Sequence, residues 1–117
     1  MEIGVEIKEK FSLVSVMGDM GEGDFERLGH TIDTLMTKGY MHVVLDLSGV
    51  FFINANGLGA LMNDLGRVRF HRGDFRIVGL NSRIMALFRA MGVDTWFDLY
   101  KSIQEMMEKT HRLPVTA

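Results

Sequence analysis

The chain has no cysteine among its 117 residues. That absence rules out disulfides, thiolate metal sites and a thiol nucleophile, and it is compatible with a cytoplasmic setting. No apolar run approaches the roughly 20 residues that a membrane-spanning helix needs, so no membrane insertion is expected. The opening Met1-Glu2-Ile3-Gly4 lacks a basic stretch followed by an apolar one, and no signal peptide is expected. Charge of one sign is lacking too. The 13 Lys and Arg stand against 15 Asp and Glu, a formal net charge of -2, which argues against nucleic acid or another general polyanion as the partner. There is no internal repeat and no low-complexity tract. The single proline, Pro114, falls in the stretch 112–117, which is expected to fray.

Enzyme signatures are missing as well. His30, His42, His71 and His111 stand singly, none in a spacing such as HExxH. Gly57-Leu58-Gly59 has neither the third glycine of a dinucleotide fingerprint nor the Lys-Ser/Thr of a P-loop. No GxSxG elbow occurs. No catalytic residue, metal ligand or cofactor is therefore expected, and a binding module is the better class.

What is present is core material. At 47% hydrophobic and 24% charged residues, residues 1–111 are expected to form one domain with its own core. Ten methionines read as adaptable core filler. Ile3, Val5 and Ile7 alternate with Gly4 and Glu6 as in a half-buried strand. After the charged turn Lys8-Glu9-Lys10, the residues Phe11, Leu13, Val14 and Val16 predict a second strand antiparallel to the first. A glycine-rich loop, 18–23, leads to a helix with Asp24 as its N-cap and Phe25, Leu28, Ile32, Leu35 and Met36 as its apolar stripe. Lys38-Gly39 ends it.

The central stretch runs from Val43 to Val68. Val43, Val44, Leu45 and Leu47 read as a parallel strand covered on both faces. Next come a turn at Ser48-Gly49 and a second apolar burst, Val50 to Ile53. From Leu58 the spacing becomes helical through Leu61, Met62, Leu65 and Val68. Strand, loop and helix thus meet at Asn54 to Gly57, where function sits in α/β sheets. Arg67, Arg69, His71 and Arg72 crowd the end of this helix, as dipole complementation or as an anion site. Phe75, Ile77, Val78 and Leu80 predict a fourth strand. Asn81 or Ser82 caps a third helix with the stripe Ile84, Leu87, Phe88 and Met91, which Gly92 stops. Thr95 to Leu99 reads as a short last strand or extended segment, and Ile103, Met106 and Met107 belong to a fourth helix. The alternation predicts an α/β fold, its sheet mixed because of the opening hairpin.

Leu45-Asp46-Leu47-Ser48-Gly49-Val50, the aromatic step, the turn ending in Gly57 and then Leu58-Gly59-Ala60-Leu61 together resemble the STAS domain. That family comprises bacterial anti-sigma-factor antagonists and the cytoplasmic tails of sulfate transporters. The resemblance extends over Ile3 to Met107. It implies a STAS fold with a mixed four- to five-stranded sheet and about four helices. The family turn reads Asp-Ser-Ser-Gly or Asp-Ser-Thr-Gly, and here it reads Asn54-Ala55-Asn56-Gly57. The family's phospho-acceptor position falls on Asn56, its hydroxyl neighbour on Ala55 and its aspartate on Asn54. A second acidic position falls on Gly21, with Asp19 nearby. Asn56 has no hydroxyl and cannot accept phosphate; Asn at 54 and 56 also suits a helix cap or a left-handed turn.

The resemblance further implies docking through Asn54, Ala55, Asn56, Gly57 and Leu58. The partner it implies is an anti-sigma factor of the histidine-kinase-like ATPase type, or a related regulator in partner switching. Ser48, which ends the central strand, is an alternative phosphosite, and Ser82 another. A homodimer is compatible with this reading. The other implied roles are a scaffolding subunit of a stressosome-like assembly or of a transport ATPase complex, and small-ligand sensing by the loop.

Overall fold

The computed structural model describes residues 1–111; Pro114 and the tail expected to fray lie outside them. The alternating opening residues form β1 (Glu2–Ile7), which pairs antiparallel with β2 (Ser12–Met17). The Lys8 amide donates to the Phe11 carbonyl at 2.9 Å and closes the charged turn between them. Next come α1 (Asp24–Thr37), β3 (His42–Gly49), α2 (Ala55–Phe70), β4 (Asp74–Val78), α3 (Ser82–Ala90), β5 (Asp98–Tyr100) and α4 (Ile103–His111). The strands lie in chain order, β1-β2-β3-β4-β5, with every pair after the hairpin parallel. The expected α/β architecture is therefore a five-stranded mixed sheet with four helices among the described residues.

Strand order decides where the helices go. Each crossover advances the sheet in one direction, and the right-handed rule then puts α1, α2 and α3 on one face. Leu28, Ile32, Leu58, Leu61, Leu65, Ile84 and Phe88 meet Val14, Val16, Val43, Leu45, Leu47, Phe75 and Ile77 there in the main core. Among the described residues the other face is covered by α4, whose Met106 packs with Leu13, Val44 and Val78. Hence β3 is buried on both faces at Val43 to Leu45, but Asp46 is only partly covered and Ser48 is exposed.

Several local expectations shift. Val5 and Ile7 are each 48% exposed, because α1 reaches over β2 and leaves the outer part of β1 bare. Gly23, in the left-handed region at φ 83°, is the N-cap of α1. Asp24 is its first helical residue instead, and its carboxylate accepts from the Gly21 amide at 2.8 Å. The helix closes as read: Lys38 is the C-cap, and Gly39 at φ 92° lets the Gly39 and Tyr40 amides reach back to the Met36 and Leu35 carbonyls. The last strand begins at Asp98, with Trp96 exposed in the turn before it, and Met91 and Met107 face solvent.

Aromatic packing holds the β4–α3–β5 end. Phe88 is fully buried, with its ring centroid 5.2 Å from that of Phe97, which lies 6.5 Å from Phe75. Phe88→Ala is expected to cost about 3–5 kcal/mol in urea unfolding, combining lost transfer energy with the cavity left behind. Phe70→Ala, at a side chain 83% exposed, is expected to stay within about 0.5 kcal/mol.

Candidate partner-binding site

Because β2, β3 and β4 are parallel, their carboxyl ends lie together, and the connections 18–23, 50–54 and 79–81 converge at that end. The β2–β3 register slips between Ser15 and Met17, where β3 carries one residue more than β2. Such a bulge bends the strand and re-aims the residues beyond it. Gly49 permits the close approach, since a Cβ there would lie 2.8 Å from the Val16 carbonyl oxygen.

Val50 and Ile53 sink into the core at 2% and 1% exposure, while Phe51 and Phe52 stand out at 61% and 46%. Periodicity marks 50–53 as apolar but does not reveal this in-out-out-in pattern, which arises because only the two end residues are anchored. The exposed pair is held from behind. Asn81 Nδ2 donates to the Val50 and Phe51 carbonyls at 3.3 and 2.8 Å, and Asn81 Oδ1 caps α3 through the Ile84 amide. Asp19 Oδ1 accepts from the Phe51 amide at 3.3 Å, and the Arg83 guanidinium lies 4.7 Å from the Phe51 ring centre. Of the two candidates for the second acidic position, Asp19 is the one whose carboxylate reaches this connection; the Gly21 amide is bound to Asp24.

Asn54 is the N-cap of α2, its side-chain oxygen accepting from the Gly57 amide at 2.8 Å. Ala55 and Asn56 already belong to the first helical turn, and Asn54, Ala55 and Asn56 are exposed. Gly57 and Leu58 are buried, Leu58 completely. The accessible part of the Asn54–Leu58 segment therefore narrows to Asn54, Ala55 and Asn56, because the helical turn rotates the next two residues into the core. Gly57 is covered by Phe25 from α1: a Cβ at Gly57 would lie 2.1 Å from Phe25 Cζ. Ser48 is exposed, and strand alternation from buried Leu47 puts it on the α4 face, opposite α2. Ser82 is the exposed first residue of α3.

Neither α2 nor α3 has an acidic residue in its first turn. Two partial positive helix ends thus meet at this surface with no acidic residue of their own, the nearby carboxylate being that of Asp19 on the Phe51 amide, whereas the first turn of α1 carries Asp24 and Glu26.

Behind the site an ionic tie joins α1 to α2. Arg67 donates to Asp33 Oδ1 at 2.9 Å and to Asp64 Oδ1 at 2.7 Å. Asp64 is 3% exposed, and its second oxygen is buried without a hydrogen-bond partner. Burial pushes its pKa up from 3.8 to about 6, against the pull of Arg67. The sequence held a sign of this residue, three positions after Leu61 and four before Val68 and so on the buried stripe. The four basic residues near the end of α2 diverge: Arg69 Nη2 donates to the Trp96 carbonyl at 2.6 Å, His71 is the C-cap, and Arg72 is left-handed at φ 62°. They form no common anion site.

This packing sets two expected outcomes. Glycine to alanine inside a helix ordinarily gains about 1 kcal/mol; Gly57→Ala is expected to lose about 1–3 kcal/mol by overpacking, and Phe25→Leu in the same chain to return most of the loss in urea melts. For Asp64 the folded state holds its proton more tightly than the unfolded chain. Its contribution therefore favours folding at low pH and is lost as pH rises from about 4 to about 6, by an amount on the order of 2 kcal/mol. Unfolding free energies measured across that range should fall less with rising pH in Asp64→Asn than in the natural sequence.

The comparisons with known proteins agree with this geometry. The STAS domain family model matches residues 2–106. An anti-sigma factor antagonist from Mycobacterium paratuberculosis superposes with a TM-score of 0.80 at 24% identity, covering 94% of this chain and 93% of that one. The anti-sigma factor antagonist SpoIIAA in its unphosphorylated form gives 0.73 at 11% identity, covering 96% and 100%. A sulfate transporter family protein from Wolinella succinogenes gives 0.77 at 15% identity, covering 91% and 88%. With the family model matching residues 2–106 of the chain and the sheet order and helices in place, this chain belongs to the STAS domain family.

Proposed function

We propose that the chain is a non-enzymatic regulatory STAS protein that docks on an anti-sigma factor of the histidine-kinase-like ATPase type. The contact surface is the exposed turn Asn54–Asn56, with Phe51 and Phe52 as its apolar flank. The observation that carries this reading is the pairing of two exposed aromatic side chains with a neutral, capped helix start. Such a surface can lose water at low cost, since it holds no full charge in the first turn of α2 and the Asn54 oxygen is already bonded to an amide.

The same surface explains what asparagine does at position 56. A phosphoryl group adds about -1.5 to -2 charges. At the second helical residue it would be tolerated by the helix dipole in the free protein and would block docking when water is expelled. Asn56 offers no oxygen that a kinase can modify, so the protein stays in a state equivalent to the unphosphorylated one. Partner binding is then set by abundance rather than by modification at this position.

The test uses the kinase-like protein captured with this chain from its own cell, with ATP, mass spectrometry and calorimetry. The natural sequence is expected to gain no phosphate and to bind, Asn56→Ser to become phosphorylated, and Asn56→Glu to bind at least about tenfold more weakly, a change of about 1.4 kcal/mol. Phosphate on Ser48 or Ser82, or unchanged binding by Asn56→Glu, would overturn the assignment. Recovery only in a large homo-oligomer or with a transport ATPase would favour the scaffolding role.

A further inference from the structure

We propose that β1 is a self-association edge, and that two copies of this chain join their sheets by pairing β1 antiparallel across a two-fold axis at Val5. This is independent of the docking surface, which lies at the carboxyl ends of β2 to β4. Among the described residues β1 has β2 as its only neighbour. It runs in unbroken register over six residues, Glu2 to Ile7, with no bulge and no proline. Exposed sheet edges are ordinarily kept short, bulged, charged on the buried face or covered. The opposite edge obeys that rule, since β5 has three residues. The β1 edge does not. Val5 and Ile7 are each 48% exposed, on the same face as their partners across the hairpin, Val14 and Ser12, which are 0% and 1% exposed. Beside them α1 stands off and leaves an open groove floored by Ile3 and Val5 and walled by Glu26, Arg27 and His30.

Backbone direction and charge select the occupant. The Lys8 amide faces β2, where it donates to Phe11. Backbone groups alternate sides along a strand, so those of Ile3, Val5 and Ile7 point to the open edge. Antiparallel pairing also keeps opposed side chains on one face, so the axis must pass through a residue position. At Val5, Ile3 meets Ile7 of the second copy, Val5 meets Val5, and Glu2 meets Lys8, twice by symmetry. At Gly4 the axis would oppose Glu2 with Glu6, and at Glu6 it would oppose the two Glu6 side chains. The Val5 register alone matches apolar with apolar and acid with base from residue 2 to residue 8. In the free chain Lys8 pairs with Glu6, both side chains largely exposed, so it can turn to Glu2 of the second copy without leaving a buried charge behind. The contact is isologous and closes as a dimer instead of growing into a fibre.

Sedimentation velocity on the full chain over a wide concentration range tests this. The natural sequence is expected to dimerise. Val5→Lys, which sets two like charges on the axis at a half-exposed position, is expected to be a folded monomer by circular dichroism. Glu2→Lys and Lys8→Glu are each expected to weaken the dimer about tenfold, and the double exchange to restore it to within about threefold. A chain monomeric throughout, a dimer indifferent to Val5→Lys, single exchanges that the double fails to repair, or a dimer broken by Phe51→Asp while Val5→Lys leaves it intact would each overturn the proposal.

Discussion

The ring of Phe25 lies on a residue that has no side chain. That contact between α1 and the first turn of α2 sets where the second helix begins and which way it points. With Gly57 pressed under the ring, the turn has one way to rotate. Asn54 is left outside as cap, Ala55 and Asn56 lie on the surface, and Leu58 is driven into the core. The same contact couples the connection after β2 to the connection after β3, because Phe25 is the second residue of α1.

Other interactions serve the same end of the molecule. Asn81 uses its amide twice, capping α3 with its oxygen and bracing the 50–51 backbone with its nitrogen. Asp19 steadies the Phe51 amide from the other side. Phe51 and Phe52 are therefore exposed on a braced backbone, so ordering them on burial would cost less entropy. Further along α2, Arg67 joins Asp33 to the buried Asp64. This tie leaves one carboxylate oxygen without a hydrogen bond. It is better understood as fixing the orientation of two helices than as a source of net stability.

Much of this was legible in the residues. The unbroken run at Val43 to Leu45 and the change to helical spacing after Leu58 located β3 and α2, and the alternation of elements specified an α/β sheet. Asparagine's capping chemistry anticipated Asn54 as the N-cap of α2. Less visible were features that depend on two distant segments. Nothing local to Gly57 announces an aromatic ring from residue 25. Phe51 and Phe52 read only as part of an apolar run until the anchoring of Val50 and Ile53 is seen. Asp64 reads as polar surface unless its place on the Leu61–Val68 stripe is given more weight than its charge. At β1 the alternation was correct but the burial was not, because a periodic pattern says which face is apolar and not whether anything covers it.

The proposed function requires that the braced helix start make contact with a partner. Hydrogen–deuterium exchange, with and without the captured kinase-like partner, addresses it directly. Slowed exchange is expected at the amides of residues 51–56 and in the adjoining 18–21 segment, with α4 unchanged. Protection confined to α4 or to the 95–100 segment, with residues 51–56 exchanging as in the free protein, would contradict it.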